Sequence, residues 1–216
     1  MSLKPTREAN LQTVCSPFAP LLQHSYLEYI PENERHDMIS AYYKRLTSSD
    51  EQQRLEAARR WSTWENATSK LYLDHKHMAK GDDDQWALQF ARIESHFFSH
   101  GGWMEDGHLL KPESVARIAH IPTIVVQGRY DGVCPAVTAW DLREAWLKAP
   151  GGDKTLEVSE ALNDSAYRGC TLLELTHCFT TPHQFFMVPD AGHSAKEPGI
   201  ADKLLYATDK FRAIRG

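Results

Sequence analysis

The stretch Ile121-Pro-Thr-Ile-Val-Val-Gln127 is a short, continuous apolar run rich in β-branched residues. Such a run is typical of a strand buried on both faces of a parallel sheet, and its early proline suits a strand start. Phe185-Phe-Met-Val188 has the same character, and a helix with Ala139, Leu142 and Trp146 on one stripe lies between the two. This order, with a further apolar helix at the end, predicts a right-handed β–α–β crossover with parallel strands near 121–127 and 185–188.

The residues before this region have the spacing of amphipathic helices. Ser49-x-x-Gln52 is a candidate capping box, and Asp82 to Asp84 suit the start of a further helix. The apolar stripes of these two helices are Leu55, Ala58, Trp61 and Trp64, then Trp86, Phe90, Ile93 and Phe97. Pro135 suits the first position of the helix after the first strand. We therefore expect a helical region over 1–110 and an α/β region over 111–216, with 151–183 as an insertion.

Composition excludes several classes of protein. The 216 residues are 42% hydrophobic and 25% charged, which is typical of a globular chain rather than a rod or a disordered segment. The net charge is −5 at pH 7, so we expect neither nucleic acid nor an anionic membrane as a partner. The four cysteines include no CxxC pair, and the first residues lack the apolar core of a signal peptide. These features predict reduced thiols and a cytoplasmic location.

Two polar residues follow the two predicted strands. Asp131 comes a few residues after the first strand, and His193 comes a few residues after the second. In a parallel sheet, working residues lie just past the carboxyl ends of the strands. An Asp that orients a His as general base is what a hydrolase needs, although a turn Asp and a loop His are an equally simple interpretation.

The motifs around these residues resemble those of the prolyl aminopeptidases (proline iminopeptidases), which are α/β-hydrolase serine peptidases. The resemblance lies in Gly128-Arg-Tyr-Asp131-x-x-Cys134-Pro135, Val188-Pro-Asp-Ala-Gly-His193-Ser194, Trp61-Ser-Thr-Trp64-Glu65 and Ala91-Arg-Ile-Glu94-Ser-His-Phe-Phe98. It implies the C-terminal part of an α/β-hydrolase fold with a mainly helical cap, acting on peptides with a free N-terminal proline. It implies no cofactor.

The resemblance also implies roles for single residues. Asp131 would orient His193, and His193 would take the proton from a serine nucleophile. Glu65 and Glu94 would bind the imino group of the substrate, and Cys134 would lie beside the proline ring.

The sequence context supports the two glutamates independently. Both have aromatic neighbours at helical spacing, and a carboxylate on an apolar face is costly unless a cation meets it. That cation could be a substrate ammonium or, alternatively, a basic side chain of the protein such as Arg60, Arg92 or Arg117.

The nucleophile elbow of the fold, G-x-S-x-G, occurs nowhere in the chain. The nearest stretch, Gly192-His193-Ser194-Ala195-Lys196, has a lysine where the motif needs a small residue. We therefore expect a chain that is inactive alone. The alternatives are another hydrolase with a helical cap, of the esterase or epoxide hydrolase type, and a non-catalytic binding module.

Metal binding is the weaker interpretation of the remaining His and Cys residues. His96 and His100 have i, i+4 spacing but no accompanying HExxH glutamate, so we interpret them as exposed or packed helix residues. Cys170, His177 and Cys178 lack a fourth ligand at a standard spacing. The sequence thus predicts no metal site.

Overall fold

A computed structural model describes residues 20–150, 157–160 and 184–214. The chain divides into two compact units, 1–105 and 106–216. The described helices of the first unit are α1 (Pro20–Glu28), α2 (Met38–Leu46), α3 (Glu51–Thr68), α4 (His75–Met78) and α5 (Asp84–Ser99). The second unit contains α6 (Pro112–Ala116), β1 (Ile124–Gly128), α7 (Ala136–Lys148), β2 (Glu157–Glu160), β3 (Gln184–Val188) and α8 (Pro198–Ile214). The fold is mostly helical with a small parallel sheet.

Aspartates begin the main helices of the first unit. The side chain of Asp50 accepts hydrogen bonds from the backbone N–H groups of Gln52 and Gln53, and Asp83 caps α5 in the same way. The predicted capping box at Ser49 is therefore wrong by one position. A carboxylate at the N-cap satisfies two free N–H groups and also complements the positive end of the helix.

An aromatic cluster forms the core of the first unit. Trp61 of α3 and Tyr42 of α2 are fully buried, and small residues of α3 and α5 such as Ala58 and Ala91 are buried with them. Truncation of a buried tryptophan costs about 3–5 kcal/mol, so this cluster is a major source of the unit's stability.

The predicted apolar stripe of α5 is wrong in its second half. Ile93 is 63% exposed and Phe97 is 51% exposed, because α5 packs through Ala87, Ala91 and Ser95 instead. Close packing against α3 favours these small side chains. Among the helices in the described ranges, none has both the length and the apolar character needed to cross a membrane.

The sheet of the second unit has the strand order β1-β3-β2, and both pairings are parallel. Both predicted strands are present, but β1 begins at Ile124 rather than at the predicted residue 121, where Ile121 is exposed. Gly128 lies opposite Val188 at their carboxyl ends. Phe185 of β3 is buried against Trp146 of α7 and Val115 of α6, and this contact fixes α7 on the sheet. Pro135 is the N-cap of α7 rather than its first helical residue.

The expected insertion at 151–183 needs correction in one part. Residues 157–160 form β2, which pairs with β3 from Glu157 opposite Gln184 to Glu160 opposite Met187. This segment completes backbone hydrogen bonds of the central strand, so it belongs to the sheet. The rest of the stretch, including the expected short helix near Cys170 to Cys178, lies outside the described residues.

Candidate active site

Two loops meet at the carboxyl edge of the sheet. The backbone N–H of Arg129 donates to the carbonyl of Val188 (2.9 Å), and that of Tyr130 donates to the carbonyl of Ala191 (3.0 Å). A Cβ atom added at Gly128 would overlap the carbonyl oxygen of Gly192, so only glycine permits this approach. The loop after β1 and the loop after β3 are thus held together by their backbones.

Asp131 and His193 are in contact across these loops, as the sequence predicts. His193 Nδ1 lies 3.0 Å from Asp131 Oδ2. The Asp131 side chain is only 6% exposed, whereas that of His193 is 39% exposed. A buried carboxylate at one ring nitrogen leaves the other nitrogen, Nε2, on the accessible side of the ring for proton transfer.

The Asp131 carboxylate is also held from the other side. Its Oδ1 accepts hydrogen bonds from the backbone N–H groups of Val133 (3.0 Å) and Cys134 (2.7 Å). Gln127 Nε2 lies 3.3 Å from Oδ2 and donates to the carbonyl of Cys134 (3.0 Å). These donors stabilise the ionised carboxylate and fix its orientation toward the imidazole.

Sequence reasoning missed two residues of this arrangement. Gln127 is buried near the end of β1. A polar residue that directly follows an apolar run could have indicated its role. Glu197, also buried, accepts a hydrogen bond at Oε1 from the backbone N–H of Gly192 (2.9 Å), the residue before His193. The position of Glu197 directly before Pro198, the first residue of α8, could have indicated a role in the loop before that helix.

The pKa of His193 is raised from 6.5 to about 10. The hydrogen bond to Asp131 is the main cause, interaction with the Cys134 side chain is the second, and partial burial opposes both. The Asp131 carboxylate thus favours the protonated form of the ring. A substrate that covers the ring would lower its pKa by desolvation and so make it available as a base.

Replacement of Asp131 by Asn should bring the pKa of His193 down toward its ordinary value, because the main cause of the shift is removed. Cys134→Ala should lower the pKa by less, since its interaction is the smaller cause. Titration of the His193 ring signals by NMR measures both changes. A His193 pKa that is unchanged in Asp131→Asn would show that the carboxylate does not set the charge of the ring.

The same shift links stability to pH. The folded pKa lies above the unfolded value, so protonated His193 stabilises the fold fully below about pH 6.5. This contribution is lost as the pH rises through about 10. Unfolding by urea should accordingly show a larger difference between the wild type and His193→Gln at pH 6 than at pH 10.

The two candidate binding glutamates belong to the first unit, Glu65 on α3 and Glu94 on α5. Glu65 is buried, with 9% of its surface exposed. Trp61 Nε1 donates a hydrogen bond to Glu94 Oε2 (2.7 Å). The pKa of Tyr26 is raised chiefly by burial, and electrostatic interactions with Tyr42, Glu65 and Glu94 raise it further. Glu65 and Glu94 thus lie near the same buried ring.

Aromatic rings surround this position. Tyr26 stacks on Tyr42 with 4.6 Å between ring centroids and on Trp64 with 5.5 Å, and Trp61 lies edge-on at 6.1 Å. An acidic pair beside aromatic faces is suited to a cation with an apolar body. Of the alternative basic side chains, Arg60 donates hydrogen bonds to Glu56 and to the backbone carbonyl of Ser25.

The described residues contain no group of three or more side chains arranged to hold a metal ion. Cys170, His177 and Cys178 lie outside those residues. Cys134, the remaining predicted site residue, is an exposed free cysteine whose backbone N–H binds Asp131.

An imidazole oriented by a buried carboxylate at the carboxyl edge of a parallel sheet is an arrangement typical of hydrolases. Comparison with known proteins agrees with this class. No protein-family model matches the chain. Curated proteins do match the chain, and they confirm its resemblance to the proline iminopeptidases.

Three of these relatives illustrate the match. The proline iminopeptidase of Xylella fastidiosa is 44% identical over 187 residues, which are 86% of this chain and 48% of that protein. That of Xanthomonas citri is 42% identical over the same shares of both chains. That of Arabidopsis thaliana is 38% identical over 88% of this chain and 41% of its own length. The chain spans about half the length of the curated relatives it matches.

Proposed function

We propose that this chain carries the acid–base pair and the amine-binding residues of a serine exopeptidase that releases N-terminal proline from peptides. Its two units are then the helical cap and the C-terminal part of an α/β-hydrolase core. The observation that carries the proposal is the contact of 3.0 Å between His193 Nδ1 and Asp131 Oδ2. The similarity to proline iminopeptidases supports the choice of substrate.

In this mechanism His193 Nε2 takes the proton from the serine hydroxyl as the serine attacks the scissile carbonyl, and then gives it to the leaving amine. Asp131 holds the ring with Nδ1–H toward its carboxylate and stabilises the imidazolium. The nucleophile belongs to the part of the relatives' length that the chain does not span. We therefore expect no turnover by the chain alone.

Glu65 and Glu94 bind the charged imino nitrogen of the substrate proline, and the ring of that proline packs on aromatic surface and on Cys134. The support for this part is the placement of both carboxylates beside the Tyr26 cluster. An acylated nitrogen carries no charge and would be rejected, because the carboxylates would lose a cation that offsets their burial.

A chimera tests the proposal. It joins to this chain the part of the Xanthomonas citri protein that lies outside the aligned residues. We expect the chimera to hydrolyse a proline arylamide and the chain alone to give only background. A folded chimera that cleaves simple esters but no proline arylamide would contradict the proposal in favour of an esterase. A folded chimera inactive on both would favour a non-catalytic module.

A further inference from the structure

The C-terminal end of α5 carries a pair of histidines that the proposed peptidase site does not use. The ring centroids of His96 and His100 are 4.4 Å apart. His96 is half-buried and His100 is exposed. The ring centroid of Tyr43 lies 5.9 Å from that of His96 and 6.1 Å from that of His100, so both imidazoles contact the same aromatic side chain.

Each imidazole ring is oriented by a hydrogen bond at its Nδ1 atom. His100 Nδ1 donates to the carbonyl of His96 (2.8 Å), which requires the proton on Nδ1 and leaves a lone pair on Nε2. His96 Nδ1 is 3.1 Å from the hydroxyl of Tyr43, which can accept the same kind of hydrogen bond. In the described part of the chain, no hydrogen bond or ion pair engages either Nε2 atom. A backbone carbonyl or hydroxyl at Nδ1 is the usual second partner of a metal-binding imidazole.

A tight turn closes the other side of the pair. Three successive residues have a left-handed backbone conformation, with φ angles of 59° at Gly101, 61° at Gly102 and 56° at Trp103. This conformation is costly for tryptophan, and it turns the indole back onto the helix. Trp103 stacks on His100 at 5.3 Å and lies edge-on to His96 at 5.4 Å. The turn and Tyr43 together restrict the rotation of both rings.

We propose that His96 and His100 form a two-imidazole site for a late divalent transition metal such as Ni²⁺, Cu²⁺ or Zn²⁺. Residues at i and i+4 lie on one helix face, and imidazole is a preferred ligand of these ions. Because the described residues supply no third ligand, water completes the coordination and the ion exchanges readily. This inference differs from the sequence-based expectation of merely packed histidines, and it is independent of the proposed peptidase activity.

Calorimetric titration of the chain with NiCl₂ tests the site. We expect one saturable Ni²⁺ per chain that is lost in His100→Gln and in His96→Gln. Tyr43→Phe should weaken binding about tenfold, because it removes the hydrogen bond at His96 Nδ1. His77→Gln is the matched control and should bind like the wild type, since His75 and His77 are two residues apart and face different sides of their helix.

Cysteines and other histidines contribute equally to all variants, so the difference between variants reports the His96–His100 pair. His100 is exposed, so its replacement leaves the core intact, and circular dichroism verifies the folding of His96→Gln. Wild-type Ni²⁺ binding in folded His100→Gln would overturn the proposal. Loss of binding in His77→Gln would also overturn it.

Discussion

A chimera that carries His193→Ala is expected to lose proline arylamide hydrolysis by a factor on the order of 10⁶. The reason is that His193, whose Nδ1 lies 3.0 Å from Asp131 Oδ2, is the proposed base for the serine and the proposed proton donor to the leaving amine. Asp131→Asn should cost about 10⁴, because the ring keeps its place but is held in the wrong tautomer. Initial rates with a chromogenic proline arylamide measure both effects.

Ser194→Ala is the matched control for this experiment. Ser194 is the neighbour of His193, and its hydroxyl accepts a hydrogen bond from the backbone N–H of Lys196 (3.3 Å), so it belongs to the turn. We expect the chimera with Ser194→Ala to retain its activity. Abolition of turnover by this change would identify Ser194 as the nucleophile and refute our assignment.

Glu94→Gln and Glu65→Gln should each lower kcat/KM for proline arylamides in the chimera by roughly ten- to a hundredfold. A charge-assisted hydrogen bond contributes about 1.5–3 kcal/mol, and about 1.4 kcal/mol corresponds to a factor of ten. A glutamine at position 94 can still accept the hydrogen bond from Trp61 Nε1, so the fold is preserved while the charge is removed.

Hydrolysis of a simple ester without an amine provides the comparison, and it should change little in the same variants. Glu56→Gln is the control on the protein side, because Glu56 also lies on α3 but pairs with Arg60 at the surface. Equal losses on the arylamide and the ester would show that the two glutamates are structural and do not bind the substrate amine.

The sequence predicted the features that depend on local pattern. Strands near 121–127 and 185–188 were predicted because both are continuous apolar runs, and parallel pairing then placed Asp131 and His193 at one edge. The contact between Asp131 and His193 followed from that topology. The helices Glu51–Thr68 and Asp84–Ser99 were predicted from periodicity, whereas the helices Pro20–Glu28 and His75–Met78 were not.

Features that depend on tertiary packing were missed. The segment that forms β2, Glu157-Val-Ser-Glu160, is largely polar, and it is a strand because β3 offers it an open edge. The exposure of Ile93 and Phe97 follows from the close approach of α5 to its neighbours through alanines. Gln127 and Glu197 stabilise the site by bonds to backbone atoms of other loops, which no spacing in the sequence reveals.

The strand order β1-β3-β2 has a consequence for biosynthesis. The central strand is the last of the three along the chain, and among the described strands it is the partner of both β1 and β2. These two pairings can therefore form only after Gln184 to Val188 have been synthesised. Pairing between strands that are distant in sequence slows folding, and an unpaired strand edge is open to aggregation until its partner is made. The Asp131–His193 contact depends on the position of β3 in the same way, so it can form only late in the synthesis of the chain.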